Sequence, residues 1–303
     1  IIGVKPTYGR ISRYGIIPYA SSLDHVGYFT TNVEDACTML EVLAGRDDRD
    51  MTSSLRPVEA YRDHLNSDLH GKVIGVLENV QEVIRDQAVR DNVEALCEKL
   101  AARGAQIRRV RMPQELMETI LPVYLTIANA EATANHSNLD GIRFGMREDG
   151  ESVEEVMKNS RTKGFSAYVR KRFIIGSYSL FVENQDKLFR KAQKIRRLLV
   201  DHYRALFAEC DCILASAAPT VAPLEDEASD EALGKEHLVA DNHMQLGNFS
   251  GYPSMTLPSG FVDGLPIGVN ITCRPFEEQM MFDIAKAIEE ETGLADHTVE
   301  VKA

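Results

Sequence analysis

The sequence predicts an α/β domain whose mixed, largely parallel sheet is covered by helices on both faces. Three observations carry that expectation. Lys72–Glu78 (KVIGVLE) is a short apolar run, Asp86–Arg103 has a helical stripe, and Ala105–Val110 returns as a second strand. Strand, helix and strand at this spacing form a crossover unit, whose strands are parallel. Near the other end, Ser254–Pro258 and Ile267–Thr272 flank Asp263-Gly264, a pair that favours the tight turn of an antiparallel hairpin. Elsewhere, amphipathic helical stretches alternate with short apolar ones, with no repeat and no clear linker.

Taken in order, Ile1–Val4 reads as the interior or end of a buried strand. A chain seldom starts there, so the reading expects a sequence whose beginning is missing. Gly3–Gly27 is rich in glycine, proline and polar turn formers, with short strand-like pieces at Arg10–Ser12 and Ile16–Tyr19. Its Lys5, Ser12, Ser21, Ser22 and Asp24 invite thoughts of a nucleophile. Short polar side chains in such turns usually bond the local backbone instead. Thr31–Leu43 is a helix with a Thr31/Glu34 capping box, an apolar stripe and Gly45 at its end. Asp47–His70 is charged and irregular. In the Asp86–Arg103 helix, Val89, Val93, Leu96, Cys97 and Leu100 face inward and Gly104 follows.

Gln114–Asn138 reads as one long helix carrying Tyr124, and Leu139–Gly145 as a loop. Ser152 and Glu155 cap a helix running to about Lys163. Asp186–Ala208 is a long amphipathic helix with a basic outer face. Asp211–Ala217 is a short apolar strand, Leu224–Lys235 an acidic loop, and Leu238–Leu246 a helix with Asp241 in its first turns, where the helix dipole favours a negative group. Glu277–Thr292 closes the chain as an amphipathic helix stopped by Gly293.

Composition narrows the function. The chain has 303 residues, 44% hydrophobic and 26% charged, as a globular protein does, with a net charge of −12. A broad nucleic-acid face would need positive charge, so contact with RNA is expected to be local or made by a partner. Five cysteines show no zinc spacing, and eight histidines form no ligand pair. No membrane-crossing run or leader is visible, which fits a reducing cytoplasm.

Phe165–Phe181 (FSAYVRKRFIIGSYSLF) reads as a buried helix with a cation on it. Residues three and four apart share a face, which gives Arg172 the neighbours Tyr168, Val169, Ile175 and Gly176. A guanidinium there needs a carboxylate, either from a fixed Asp or Glu or from a substrate, unless it snorkels to water beside Arg170 and Lys171.

Several stretches resemble a known family. GVKPTYGRISRYG at Gly3–Gly15, SSLDHVG at Ser21–Gly27, and NFSGYP at Asn248–Pro253 with DGLPIG at Asp263–Gly268 look like the amidase-signature enzymes. EATANHSNLDGIRFG at Glu131–Gly145 and VRKRFIIG at Val169–Gly176 are similar, within that family, to the glutaminase subunits of bacterial tRNA-dependent amidotransferases. The resemblance covers almost the whole chain. It implies a single amidase-signature domain over 1–303, the C-terminal portion of the full domain. It also implies hydrolysis of glutamine's side-chain amide by a Ser–cis-Ser–Lys triad with a backbone oxyanion hole. The ammonia would serve to convert Glu-tRNA(Gln) or Asp-tRNA(Asn) to Gln-tRNA(Gln) or Asn-tRNA(Asn). Subunits B and C would be partners, with aminoacyl-tRNA, ATP and magnesium held mainly by B and no cofactor on this chain.

The family's triad lies upstream of the segment matching Ile1–Gly3. Catalytic residues are therefore expected to be absent, and the chain alone inactive. Matched residue by residue, the substrate-binding positions fall on Tyr124, Arg172 and Asp241. The resemblance implies that Arg172 takes the α-carboxylate of glutamine, Asp241 the α-ammonium, and Tyr124 supplies a hydroxyl and a wall. Departures are Tyr28 for a usual Pro, Thr31 for Arg, Ala215–Pro219 (ASAAP) for a Pro-Thr-Thr-Pro-like turn, and Asn270 for Gln. Another hydrolase of simple amides, or a binding and assembly protein without the triad, stands as the alternative.

Overall fold

The computed structural model describes residues 1–223 and 242–298, which divide into two compact units. The first comprises Ile1–Tyr14, His25–Ile120 and the described part of the chain from Leu199 onward. Its elements, in chain order, begin with β1 (Ile2–Lys5), β2 (Tyr28–Thr30), α1 (Val33–Leu43), β3 (Val73–Leu77), α2 (Glu78–Gln81), α3 (Gln87–Ala102), β4 (Gln106–Val110) and α4 (Gln114–Met117). The second unit, Gly15–Asp24 and Leu121–Leu198, carries nearly all of α5 (Ile120–Asn135), then α6 (Val153–Gly164), α7 (Ala167–Leu180), α8 (Val182–Gln185) and the start of α9 (Phe189–Leu206). The first unit resumes with β5 (Cys212–Ser216), α10 (Gln245–Ser250), β6 (Ser254–Val262), β7 (Leu265–Cys273) and α11 (Glu278–Thr292).

The first unit is built on a seven-stranded sheet ordered β2-β1-β6-β7-β5-β3-β4. β3 pairs in parallel with β4 through the α3 crossover, Val73 opposite Gln106 and Leu77 opposite Val110, as the strand–helix–strand pattern predicts. β6 and β7 pair antiparallel across the Asp263-Gly264 turn, whose φ angles of 50° and 80° suit a tight hairpin. The sheet is mixed, but less parallel than the sequence suggests. Among the described strands, β3–β4 and β3–β5 are parallel, and β1–β2, β1–β6, β5–β7 and β6–β7 are antiparallel. The crossover motif is legible locally, whereas the antiparallel half pairs strands distant in sequence.

The interior strand β5 is buried along its whole length, which requires cover on both faces. Cys212 and Leu214 join the core cluster with Val93, Leu96, Cys97 and Leu100 of α3 and with Phe282 and Ile288 of α11. Ile213 and Ala215 look the other way, toward Tyr203 and Leu246. Cys37 and Cys97 lie in the core as small hydrophobes, and all five cysteines are free.

Several local expectations are corrected. Arg10–Ser12 is no strand; Ile11 makes one isolated bridge with Ala44, and Ile16–Tyr19 is not extended pairing. The α1 cap is Asn32, whose side chain accepts from Asp35 N at 2.7 Å. Thr31 donates instead to Asp296 Oδ1 at 2.5 Å. The long helix expected over Gln114–Asn138 breaks at Glu118–Thr119, leaving α4 and α5, and ends in a 3-10 turn. The 186–208 helix starts later, at Phe189. The acidic loop and most of the helix expected before Leu246, Asp241 included, lie outside the described residues.

In the second unit, α5 and α7 touch at Gly176. A Cβ there would sit 2.1 Å from Asn129 O and 2.2 Å from Thr133 Oγ1, so only glycine permits the approach. Thr133 Oγ1 also donates to Phe173 O at 3.2 Å. Phe173, Gly176 and Ser179 form the buried side of α7. Ile174, Ile175 and Tyr178 are 71%, 46% and 57% exposed, so the helix is not buried as its apolar composition suggests. The 139–145 loop is pinned by Asp140, which accepts from Ile142 N, Arg143 N and the Arg143 guanidinium at 2.7–3.0 Å.

Candidate functional site

Arg172 sits on α7, half-buried, four residues after Tyr168. Ser166 caps that helix by accepting from Val169 N at 3.3 Å. The guanidinium donates through Nη1 to Tyr19 Oη at 3.1 Å and through Nη2 to Tyr168 Oη at 2.6 Å. It also lies over the Tyr168 ring, 4.6 Å from its centroid, an arrangement that stabilises a cation. Among the described residues no Asp or Glu reaches it. The sequence leaves a carboxylate partner or exposure to water open for this cation, and the structure places two phenols against it.

Behind this pair lies an aromatic cluster. The Tyr19 ring stands edge-on to His136 at 5.5 Å, His136 stacks on Phe165, and Phe173 closes against both. Burial pulls the His136 pKa down, with a hydrogen bond to the Pro18 carbonyl opposing it. Arg161 covers Phe165 and Phe173 and donates to His136 O and Leu139 O at 2.8 and 3.0 Å, tying the DGIRFG loop to the cluster.

Tyr124 lies half-buried on α5, and its hydroxyl bonds no described residue. The level of Arg172 on α5 is that of Thr133, which bonds the carbonyl next to it. Tyr124 is nine residues earlier, roughly 13 Å along the helix axis. Arg172 is brought together with Tyr19 and Tyr168; among the described residues no hydrogen bond joins it to Tyr124. Asp241 lies outside the described residues. Tyr168 was readable as the neighbour at helical spacing, whereas nothing in the sequence pointed from Arg172 to Tyr19, 153 positions away.

The serines of the first stretch are structural. Ser22 donates to Glu131 Oε1 at 2.6 Å and accepts from Arg196 Nη1 at 2.8 Å. Ser12 donates to Asp47 Oδ2 at 2.8 Å, and Ser21 accepts from Asn135 at 3.0 Å. Asp24 accepts from Tyr19 N and Ala20 N, the local backbone role its setting predicts.

The first unit holds a cavity of about 600 Å³ bordered by Lys5, Tyr28, Asn248, Ser254, Thr256 and Asn270. Lys5 Nζ donates to Tyr252 O and, at 3.3 Å, to Pro6 O. Burial pulls its pKa down to about 7, with Glu278 acting the other way. Among the described residues no group of three or more His, Cys, Asp or Glu could hold a metal ion. Among them, too, no helix is long and apolar enough to cross a membrane.

Comparison with known proteins assigns the fold and the family. The family model described as Amidase matches residues 1–282. The A subunit of the glutamyl-tRNA(Gln) amidotransferase of Koribacter versatilis is 38% identical over 291 residues, 95% of this chain and 60% of the relative. The A subunit of the Fusobacterium nucleatum enzyme of the same name is 37% identical over 299 residues, 97% of this chain and 59% of the relative. The chain thus spans about three fifths of the length of these curated relatives. The crystal structure of the A subunit of glutamyl-tRNA(Gln) amidotransferase from Thermotoga maritima superposes with a TM-score of 0.74 at 29% identity, covering 96% of this chain and 58% of that one. A bacterial aryl acylamidase of the amidase-signature family, at 20% identity and a TM-score of 0.75, shares the fold. The mixed sheet and its helices are an amidase-signature fold, and the chain belongs to the Amidase family.

Proposed function

We propose that this chain is the substrate-recognition portion of the glutaminase component of a tRNA-dependent amidotransferase acting in the cytoplasm. In that reading the complete glutaminase releases ammonia from glutamine. Subunits B and C use it, with ATP and magnesium on B, to turn Glu-tRNA(Gln) or Asp-tRNA(Asn) into the correctly amidated product. The two compact units belong to one amidase-signature domain; the Amidase match, running from residue 1 to 282, supports this. Arg172 takes the α-carboxylate, Asp241 the α-ammonium, and Tyr124 supplies a hydroxyl and a wall at the same end of glutamine. The triad belongs to a part of the family sequence that this chain does not match, so the chain alone releases no ammonia from glutamine.

One observation carries the reading: a half-buried guanidinium, held by two neutral phenols, with no carboxylate of its own among the described residues. Such a group lacks a counter-charge, and a ligand carboxylate supplies one through two parallel hydrogen bonds. The test is Arg172→Ala in the complete enzyme. A charge-assisted contact of about 1.5–3 kcal/mol predicts a tenfold to hundredfold loss in the use of glutamine. Use of free ammonia, which bypasses the pocket, stays unchanged. Equal losses with both nitrogen donors would assign Arg172 to the fold or the assembly.

A further inference from the structure

A guanidinium has five N–H donors in a fixed fork, and a phenol is both donor and acceptor. At Arg172 two of the five donors are engaged, one by Tyr19 Oη and one by Tyr168 Oη. Both phenols accept, so each keeps its own O–H to give. Among the described residues neither hydroxyl has a second partner. The result is one positive charge and two phenolic donors gathered together, with no side-chain or backbone acceptor for the phenols among the described residues. A ligand that satisfies such a set carries negative charge on more than one oxygen.

We infer that Tyr19 and Tyr168 are specificity-determining residues for a substrate carboxylate. They fix the guanidinium on two sides, and their own O–H groups donate to the carboxylate that it binds. This rests on the reading that Arg172 holds the α-carboxylate of glutamine, and adds two residues to it. The consequence is a substrate class: amides bearing a free carboxylate are selected over the same amide with that group masked. Tyr19 reaches the site from the Gly15–Asp24 segment and Tyr168 from the first turn of α7, so a single helix does not make the site.

The experiment measures binding of L-glutamine and of L-glutaminamide, its carboxylate-free analogue, to the 303-residue chain by titration calorimetry. Tyr19→Phe and Tyr168→Phe keep the ring against His136 and under the guanidinium and remove only the hydroxyl. Each is expected to weaken glutamine about threefold to tenfold, the ordinary range for one hydrogen bond, and to leave glutaminamide unchanged. If both Phe variants bind glutamine like the parent while Arg172→Ala loses it, the reading of Arg172 stands and the inference falls. If Arg172→Ala binds glutamine like the parent, or the parent does not prefer glutamine to glutaminamide, the reading itself falls and the inference with it. Loss of the folded circular dichroism signal in both Phe variants would make the hydroxyls structural and overturn the inference as well.

Discussion

Lys5 in the first unit and Arg172 in the second pose the same problem and answer it differently. Each is a cation partly withdrawn from water with no ion-pair carboxylate among the described residues. Lys5 points at two backbone carbonyls and beside a cavity, and its pKa falls to about 7, so it can shed its charge. A neutral amine has two N–H groups, which match the two carbonyls. Arginine stays charged under all ordinary conditions, so Arg172 must find electron density: two phenolic oxygens and one ring face. The difference separates an adjustable group from a permanent charge held by neutral oxygens and a ring face.

The units differ in their apolar residues too. β5 buries every residue, whereas the outer side of α7 leaves Ile174 and Tyr178 more than half exposed. Burial in the sheet follows from cover on both faces. In α7, composition alone suggests a buried helix that the packing does not deliver.

The largest effect expected is at Lys5. At pH 7 about half of its amine should be unprotonated, against roughly 1 in 2,500 for an ordinary lysine. Labelling with an amine-selective anhydride, read by mass spectrometry of the Lys5 peptide across pH, should be half-maximal near pH 7. The unfolded chain holds this proton to about pH 10.4 and the folded chain to about 7, so stability should rise with pH across that window. Lys5→Met should flatten that slope. A labelling midpoint near 10 would erase the contrast between the two cations.

Next comes packing. Leu214→Ala, at a fully buried position, should cost about 2–5 kcal/mol in urea unfolding. Ile174→Ala on α7 should stay within about 0.5 kcal/mol of the parent. Similar losses at the two sites would show that α7 is covered in solution. The smallest expected loss that still separates the units is Gly176→Ala. It pushes a methyl group against Asn129 O and Thr133 Oγ1 and should cost about 1–3 kcal/mol. The same urea measurement checks it; a neutral result would mean that α5 and α7 do not touch there.

The sequence by itself determined the elements whose causes are local. The β3–α3–β4 crossover shows in a five-residue stripe, the β6–β7 hairpin in Asp263-Gly264, and the cap at Ser152 in its own side chain. For Arg172 the sequence showed the helical neighbour Tyr168, but not that the helix leaves Tyr168 and Ile175 exposed. Tertiary structure decided what depends on distant pairing. It seated β1 between β2 and β6 and made most of the sheet antiparallel, because a strand's partner is chosen by which apolar face and which free edge meet it in space. It broke the 114–138 stretch into two helices. It also brought Tyr19 to Arg172 across 153 positions, so the cation meets a phenol that periodicity, which compares near neighbours only, has no means of finding.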